Sequence, residues 1–429
     1  MKFYSTNNKN LRVDFKKAVL ESGLAPDGGL YMPREIPELN KKFLKSLAKL
    51  EFNQIIFEIA KPFLEKEIGS KDLKKLIQEV FDFEIPLVFL SDNVYCLELF
   101  GGPTLAFKDF GARFMAKVIS HLNKDRKKIT VLVATSGDTG GAVANAFSGI
   151  ENIEVVLLYP AKKISQIQEK QLTTGASNIK ALEIKGVFDD CQAMVKKAFL
   201  DREVNENLTL IPANSINFAR LLGQVFYYFY VYSKIQKPFT VSVPCGNFGN
   251  LTAGIMAKKM GLPVQKFVAS LNKNNVFQDY LRTGKFKAKK SVQSLSSAMD
   301  IGNPSNFYRI KDLYDNDLAK MKKDIIAYSF SDDQTQTAIK RVFEKFDYLM
   351  DPHGAVAYLG LEKYLKDSAC KRTGVFFETA HPVKFKEEVE KIINQKIKLP
   401  SKIKKILNKR KKSIPTPNKY SALKEILLQ

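Results

Sequence analysis

Two stretches of the chain, "ITVLVATSGDTGGAVANAF" (129–147) and "FTVSVPCGNFGNLTAGIMAKKMG" (239–261), share one build: an unbroken apolar run, a glycine-rich turn, then residues at helical spacing. An apolar run that does not alternate with polar residues predicts a strand buried on both faces, and the helix after it supplies one cover. That pattern confines the fold to parallel sheets layered between helices. "IEVVLLYP", "IKALEIKG" and "VQKFVASLN" predict further strands, and "ISQIQEKQLTTG" and "FDDCQAMVKKAFL" further helices. The expected fold class is α/β.

Residues 1–85 have a different texture. "LRVDFKKAVLESG", "LKSLAKLEFNQIIFEIAKPFL" and "KDLKKLIQEVF" carry apolar residues at helical spacing, so a mainly helical extension ending near Phe83–Pro86 is expected. At the other end, "KIKKILNKRKK" (402–412) reads as a solvated helix face and "KRKKSIPTPNKY" as a loose segment.

With 429 residues the chain has room for two or three domains. No apolar run approaches the roughly 18 residues of a membrane span, and the N-terminus lacks a signal-peptide pattern. Cys96, Cys191, Cys245 and Cys370 are widely spaced and form no CxxC pair, which argues against a zinc site or disulfide framework and fits a reducing cytoplasm. The net charge of +23 raises the possibility of nucleic-acid binding. Lysines spread through nearly every segment, with no RNA- or DNA-reading motif, favour a general lysine-rich composition instead.

The glycine-rich turns carry the chemistry. In "VPCGNFGNLTAG", Gly246 and Gly249 allow a sharp turn and close ligand approach, and the helix starting there points its free N–H groups into the turn. This suits a phosphate, although the spacing is neither GxGxxG nor GxxxxGK[ST]. In "ATSGDTGG" (134–141), Ser136, Thr139 and the backbone amides suit a carboxylate, while Asp138 reads equally as a helix cap. Both turns belong at the C-terminal ends of strands, where open α/β sheets bind ligands. Lys108 in "GGPTLAFKDFGARF" (101–114) lies between Phe107 and Phe110, where burial would lower its pKa and make the amine nucleophilic. A buried lysine and a phosphate cradle together are the minimum that pyridoxal 5'-phosphate requires.

At this point the motifs resemble those of the threonine synthase family, pyridoxal 5'-phosphate enzymes of fold type II, the tryptophan synthase β-like class. The resemblance runs from "STNNKNLRVDFKKAVLESGLAPDGGLYMP" to "ETAHPVKFKEEVEK". "ELFGGPTLAFKDFGARFMA" is similar to the Schiff-base lysine motif, "TSGDTGGAVA" to the substrate-carboxylate loop and "VPCGNFGNLTAG" to the cofactor-phosphate loop. The resemblance implies conversion of O-phospho-L-homoserine and water to L-threonine and phosphate, with Lys108 as Schiff-base lysine and proton carrier. It implies cofactor contacts from Asp138, Gly246, Asn247, Phe248, Gly249, Asn250 and Thr379, the last by its hydroxyl against the pyridine nitrogen. Ser136 and Thr139 are expected at the substrate carboxylate, and Arg113, Lys163 and Ser165 at the substrate phosphate.

Asn217, Arg220 and Gln224 of "PANSINFARLLGQ" either buttress the site or touch the ligand, and His353 and His381 are expected to be structural. Two positions depart from common patterns: Cys245, where the family often has serine or threonine, and Asp138, where many fold type II enzymes have asparagine. The implied architecture is a helical extension (1–85), a large cofactor-binding unit (86–130 and 212–400), a small unit (131–211) and a basic tail (401–429). The expected partner is the small-molecule substrate, with no nucleic acid or membrane, in a monomer or homodimer. The alternatives are another fold type II enzyme such as a serine/threonine dehydratase, a basic nucleic-acid-binding protein and a cofactor-free binding protein.

Overall fold

At the N-terminus the side chains alternate between core and solvent, and a period of two makes strands rather than helix. In the computed structural model, which describes residues 1–20, 24–368 and 372–429, β1 (Lys2–Ser5) buries Phe3 and Ser5 and turns Lys2 outward. It pairs antiparallel with β2 (Asn8–Asp14) and β3 (Tyr31–Pro33). The extension is mainly helical, as expected, but it opens with this three-stranded sheet, which corrects the reading of its first helix. "LRVDFKKAVLESG" is strand through Asp14 and, among the described residues, helical over Phe15–Leu20. Its expected glycine stop, Gly23, lies outside the described residues. Helices Phe52–Ile68 and Ser70–Val80 follow, as their spacing predicts.

The strands after them are β4 (Leu87–Ser91), β5 (Val94–Glu98), β6 (Ile129–Ala134), β7 (Ile153–Pro160), β8 (Ile179–Lys185) and β9 (Thr209–Pro212). They continue with β10 (Phe239–Pro244), β11 (Val264–Leu271), β12 (Ile325–Ser329), β13 (Gly374–Glu378) and β14 (Ile414–Pro417). They assemble into a six-stranded sheet, β12-β11-β10-β13-β5-β4, and a five-stranded sheet, β14-β8-β7-β6-β9. Only the β4–β5 pair is antiparallel in the first, and the second is parallel throughout. All residues of β10 and β13 are buried, which is why their sequences are apolar without alternation.

The C-terminal segment corrects a second expectation. β14, within the segment read as loose, pairs in parallel with β8, and Thr416 is buried. Its two prolines are tolerated because β14 is an edge strand with one unpaired side. Leu423 of the last helix, Tyr420–Leu428, packs with Leu182 and Cys191, and Lys411 pairs with Glu169 (2.6 Å) and Glu183 (2.7 Å). The basic run is thus fastened to the smaller sheet. Cys96, Cys191 and Cys245 are free and buried, and Cys370 lies outside the described residues.

The connection that matters most for the site lies beyond β13. Phe107 donates its N–H to Thr379 O (2.8 Å), and His381 donates to Leu105 O (3.0 Å). The segment leading into Lys108 is therefore zipped to the segment leaving the central strand.

Candidate active site

Lys108 is placed by its neighbour. Asp109 is fully buried and accepts Thr104 N–H (2.8 Å) and the Thr104 hydroxyl (2.6 Å), folding the Gly-Gly-Pro-Thr turn back on itself. A Cβ on Gly102 would lie 2.3 Å from Asp109 Oδ2, so this position needs glycine. The turn leaves Leu105 in the left-handed region (φ 58°), a strain held by the surrounding packing. Lys108 then opens the helix Lys108–Leu122. Its side chain is 16% exposed, crosses the Phe107 ring at 5.1 Å and brings Nζ to 3.6 Å from Asp138 Oδ2. Burial pulls the amine's pKa below the usual lysine range; Asp138 opposes this, and the charges of Lys384 and Arg220 reinforce it.

Asp138 opens the helix Asp138–Phe147, but another residue does the capping. Thr135 Oγ1 accepts the N–H groups of Gly137 (3.0 Å) and Gly140 (2.8 Å), which leaves the Asp138 carboxylate for other partners. Its Oδ1 meets Lys384 Nζ at 2.8 Å and accepts Gln168 Nε2–H at 3.0 Å. Burial disfavours the charged carboxylate. The Lys384 and Lys108 charges outweigh that penalty and hold the carboxyl well below the usual range.

Lys384 was not singled out by sequence reasoning. Its side chain is 0% exposed, and it also donates to Thr104 O (2.9 Å) and Gln171 Oε1 (2.9 Å). The only sequence signal was its position in "TAHPVKF", five residues past Thr379.

The remaining candidates divide by what they touch. Ser136 is exposed and Thr139 half-buried on the Asp138 turn. Ser165 caps the helix Gln166–Thr173 through a reciprocal pair with Gln168 (3.3 and 3.1 Å), and so aims Gln168 at Asp138. Lys163 is exposed.

Arg113 lies on the same helix as Lys108 but on another face. Five positions past Lys108 on a helix is a rotation of about 140°, and its guanidinium pairs with Asp82 (2.5 Å) and Glu79 O (3.0 Å) over the Phe83 ring.

Asn217 caps the helix Phe218–Leu222 and donates to Val19 O (3.0 Å); Arg220 donates to Ala213 O, and Gln224 to Arg220 O (3.1 Å). All three hold main chain. The histidines do likewise. His353 Nδ1 meets Asp351 Oδ1 while its Nε2 accepts Ala298 N–H (3.2 Å), and His381 Nδ1 accepts Val383 N–H (3.1 Å).

The second turn follows β10. Phe248 is left-handed (φ 59°) and packs on Phe277, with ring centroids 4.9 Å apart. A Cβ on Gly246 would fall 2.9 Å from Ala298 O, so the turn is tightly seated. Asn247 donates to Ser215 Oγ (2.7 Å) and accepts Ser305 N–H (2.6 Å). Asn250 Oδ1 accepts the hydroxyls of Tyr227 and Tyr228, both at 2.8 Å, while its buried Nδ2–H has no acceptor among the described residues. Cys245 turns its thiol to Val243 O (3.2 Å), and burial pushes that thiol's pKa up. The helix Gly249–Lys259 starts at this turn, whose own residues are all uncharged. An orphaned amide donor, an uncharged turn and a helix N-terminus suit a phosphate.

An amine of lowered pKa and a phosphate-suited turn, both at the C-terminal ends of parallel strands, meet the needs of pyridoxal 5'-phosphate. Fold and site together define a fold type II enzyme dependent on that cofactor. The family "Pyridoxal-phosphate dependent enzyme" matches residues 85–377, "Threonine synthase N terminus" residues 2–81 and "Threonine synthase, C-terminal" residues 354–427. Threonine synthase of Buchnera aphidicola subsp. Acyrthosiphon pisum is 44% identical over 434 residues, covering 100% of both chains. The crystal structure of threonine synthase from Escherichia coli matches with a TM-score of 0.92 at 40% identity, covering 100% of this chain and 99% of that one. PLP-bound threonine synthase from Brucella melitensis matches at 0.93 and 32%, with coverage of 100% and 99%. The chain belongs to the threonine synthase family.

Proposed function

We infer that the chain converts O-phospho-L-homoserine and water to L-threonine and inorganic phosphate with pyridoxal 5'-phosphate as cofactor. The observation that carries this reading is the Lys108–Asp138–Lys384 cluster, together with family membership along the whole chain. Bound in the site, the cofactor supplies an electron sink for negative charge at the substrate's Cα and then Cβ. The residues assigned to hold it are Lys108, Asp138, Thr379 and the turn Gly246–Asn250.

Lys108 Nζ takes protons from the substrate carbons and returns them, and burial favours the neutral amine that this requires. Asp138, kept anionic by Lys384, orients that amine at 3.6 Å. The Cγ–O bond to phosphate breaks, and the oxygen of water then bonds to Cβ. Ser136 and Thr139 are assigned to the substrate carboxylate, and Lys163 remains a candidate for its phosphate. Ser165 acts through Gln168.

The proposed units are 1–85, a large unit of 86–130 and 212–400, and a small unit of 131–211 to which 401–429 is fastened through β14. Closure of the small unit would exclude water until the addition step; a substrate-analogue complex with an unchanged cleft would count against it. No described helix is long and apolar enough to cross a membrane. We place the protein in the cytoplasm, as a monomer or homodimer, without a nucleic-acid partner.

The test is an absorbance spectrum of the purified protein and of Lys108→Ala, followed by phosphate release from phosphohomoserine. The expected result is a visible band that disappears in the variant, with threonine as the product. A colourless wild type that stays inactive with added cofactor overturns the reading. Ammonia and a keto acid as the products would point to a dehydratase.

A further inference from the structure

Glu378 ends β13 one residue before Thr379, and it is fully buried. So is Asp351, which caps the helix Pro352–Asp367 packed on that strand. Each carboxyl has one oxygen in use. Glu378 Oε1 accepts Asp351 N–H, and Asp351 Oδ1 accepts the N–H (2.7 Å) and the Nδ1–H of His353. Glu378 Oε2 and Asp351 Oδ2 have no donor among the described residues, although the two carboxyl groups lie within hydrogen-bond reach of each other. Gly354 makes room for the pair, since a Cβ there would overlap Glu378 Oε2.

Two buried carboxylates side by side cannot both stay ionised unless something positive stands between them. Among the described residues no cationic side chain does. His353 is neutral: its Nε2 accepts Ala298 N–H (3.2 Å), so its proton is on Nδ1. His381, which faces Asp351, is neutral above about pH 4, where burial has moved its pKa. From β5, Glu98 stands opposite Glu378, and both Glu98 (2.9 Å) and Cys96 (3.2 Å) meet the Tyr348 hydroxyl. Asp300, on the far side of His353, is acidic as well. A divalent ion would ask for about six oxygen ligands, and only two unpartnered carboxylate oxygens stand here. One proton between them satisfies both oxygens in a single charge-assisted bond.

We propose that Glu378 is a positioning residue: its carboxyl keeps one proton, shared with Asp351, and so locks the Asp351–His353 pair against which the Gly246 turn is seated. The contacts are continuous. His353 Nε2 holds Ala298 N–H, and Ala298 O lies 2.9 Å from where a Cβ on Gly246 would be. In the other direction Glu378 O accepts Leu99 N–H (2.9 Å), and Thr379 O accepts the N–H of Phe107, the residue before Lys108. One buried proton thus joins the strand end that carries Thr379 to the turn assigned to the cofactor phosphate. The role toward the cofactor rests on that assignment; the proton does not.

The test uses full-length protein stripped of cofactor. In infrared spectra at neutral pH, wild type is expected to show a protonated-carboxyl C=O band that Glu378→Gln lacks. Burial and the Asp351 charge raise the Glu378 pKa above 4.5, so its contribution to stability is fully present below 4.5 and is lost as pH rises toward the folded value. Urea midpoints between about pH 5 and 9 should therefore fall more steeply for wild type than for Glu378→Gln, whose amide donates without titrating. Asp351→Asn also puts an N–H where the shared proton was. Each single variant is expected to keep most of the midpoint, while the double variant sets amide against amide and loses more than the two together. Glu378→Ala, which leaves the Asp351 charge unpartnered, is expected to weaken pyridoxal 5'-phosphate binding about tenfold, and Glu378→Gln to restore most of it. Should Glu378→Ala fail to fold, the amide variants still decide. No band difference, parallel pH curves, or a midpoint that depends on sodium or potassium overturns the shared proton. Unchanged cofactor affinity in Glu378→Ala overturns the positioning role. A wild type that binds no cofactor overturns the cradle reading, and the infrared and urea results still decide the proton.

Discussion

The two glycine-rich turns have the same strand–turn–helix construction but treat charge in opposite ways. At the Asp138 turn the charges are paired within the protein: Lys384 lies 2.8 Å and Lys108 3.6 Å from one carboxylate. At the Gly246 turn the nearby buried Arg309 has, among the described residues, only carbonyl and amide hydrogen-bond partners. The first region is electrostatically complete and serves to set the state of an amine. The second combines an unpartnered amide donor, a helix N-terminus and a buried cation, a chemistry that suits an anion. The same backbone device therefore supports proton chemistry in one place and anion binding in the other.

The sharpest way to break the comparison is at Lys108. Lys108→Ala is expected to lower activity by at least about a thousandfold, because nucleophile and proton carrier are lost together. Steady-state phosphate release checks this. A variant retaining a tenth of the activity would remove Lys108 from the chemistry.

Next in size is Lys384→Met, which leaves Asp138 buried with half its compensation. Breaking a buried pair in this way costs about 3–5 kcal/mol, measurable by urea unfolding. Loss of the repelling charge also raises the Lys108 pKa, so the acid limb of the activity profile moves to higher pH. Asp138→Asn combined with Lys384→Met is expected to recover part of the stability, as removing both members of a buried pair does. An unmoved profile together with unchanged stability would mean that the pair does not govern Lys108.

His381 tests the same region through pH. Its Nδ1 caps the turn that carries Lys384, and burial lowers its pKa from 6.5 to about 4. Above pH 6.5 the ring is neutral in both folded and unfolded chains, so its contribution to stability is fully present. As pH falls from 6.5 toward 4, the unfolded chain takes up the proton first and stability is lost; below about 4 the loss levels off. His381→Asn keeps a capping oxygen without this titration. Urea midpoints across that range are expected to fall more steeply for wild type than for the variant. Parallel curves would assign the acid sensitivity elsewhere.

The legible parts of the molecule follow from how local each signal is. "IEVVLLYP" and "FDDCQAMVKKAFL" appear as β7 and as the helix Phe188–Leu200 because unbroken apolar runs and helical spacing are properties of a single segment. β1 and β2 were missed because short alternating strands next to an amphipathic helix blur into its spacing. β14 was missed because two prolines in four residues argue against a strand unless it lies at an edge, and edge position is a property of the assembled sheet. At the site, Lys108 stood out through its motif. Lys384 did not, since one lysine among 68 basic residues is distinguished only by the carboxylate that folding brings to it. Thr135 is a small hydroxyl whose importance lies in the two N–H groups it accepts, and that information is three-dimensional.

The smallest expected effect belongs to Arg113, and it sharpens the comparison by exclusion. If this guanidinium served the substrate phosphate, Arg113→Ala would raise KM at least tenfold, as losing a charged hydrogen bond does. The helix instead turns it toward Asp82, whose side chain is 61% exposed. A pair with one partner in solvent is worth about 1 kcal/mol or less. Arg113→Ala is therefore expected to shift the urea midpoint slightly and leave KM and kcat within about twofold, which at 1.4 kcal/mol per factor of ten is under half a kcal/mol. High salt should shrink even that stability difference, because the Asp82 end of the pair is open to screening. A large KM effect would mean that Arg113 leaves Asp82 when substrate binds, and that anion binding draws on the Lys108 helix as well as on the Gly246 turn.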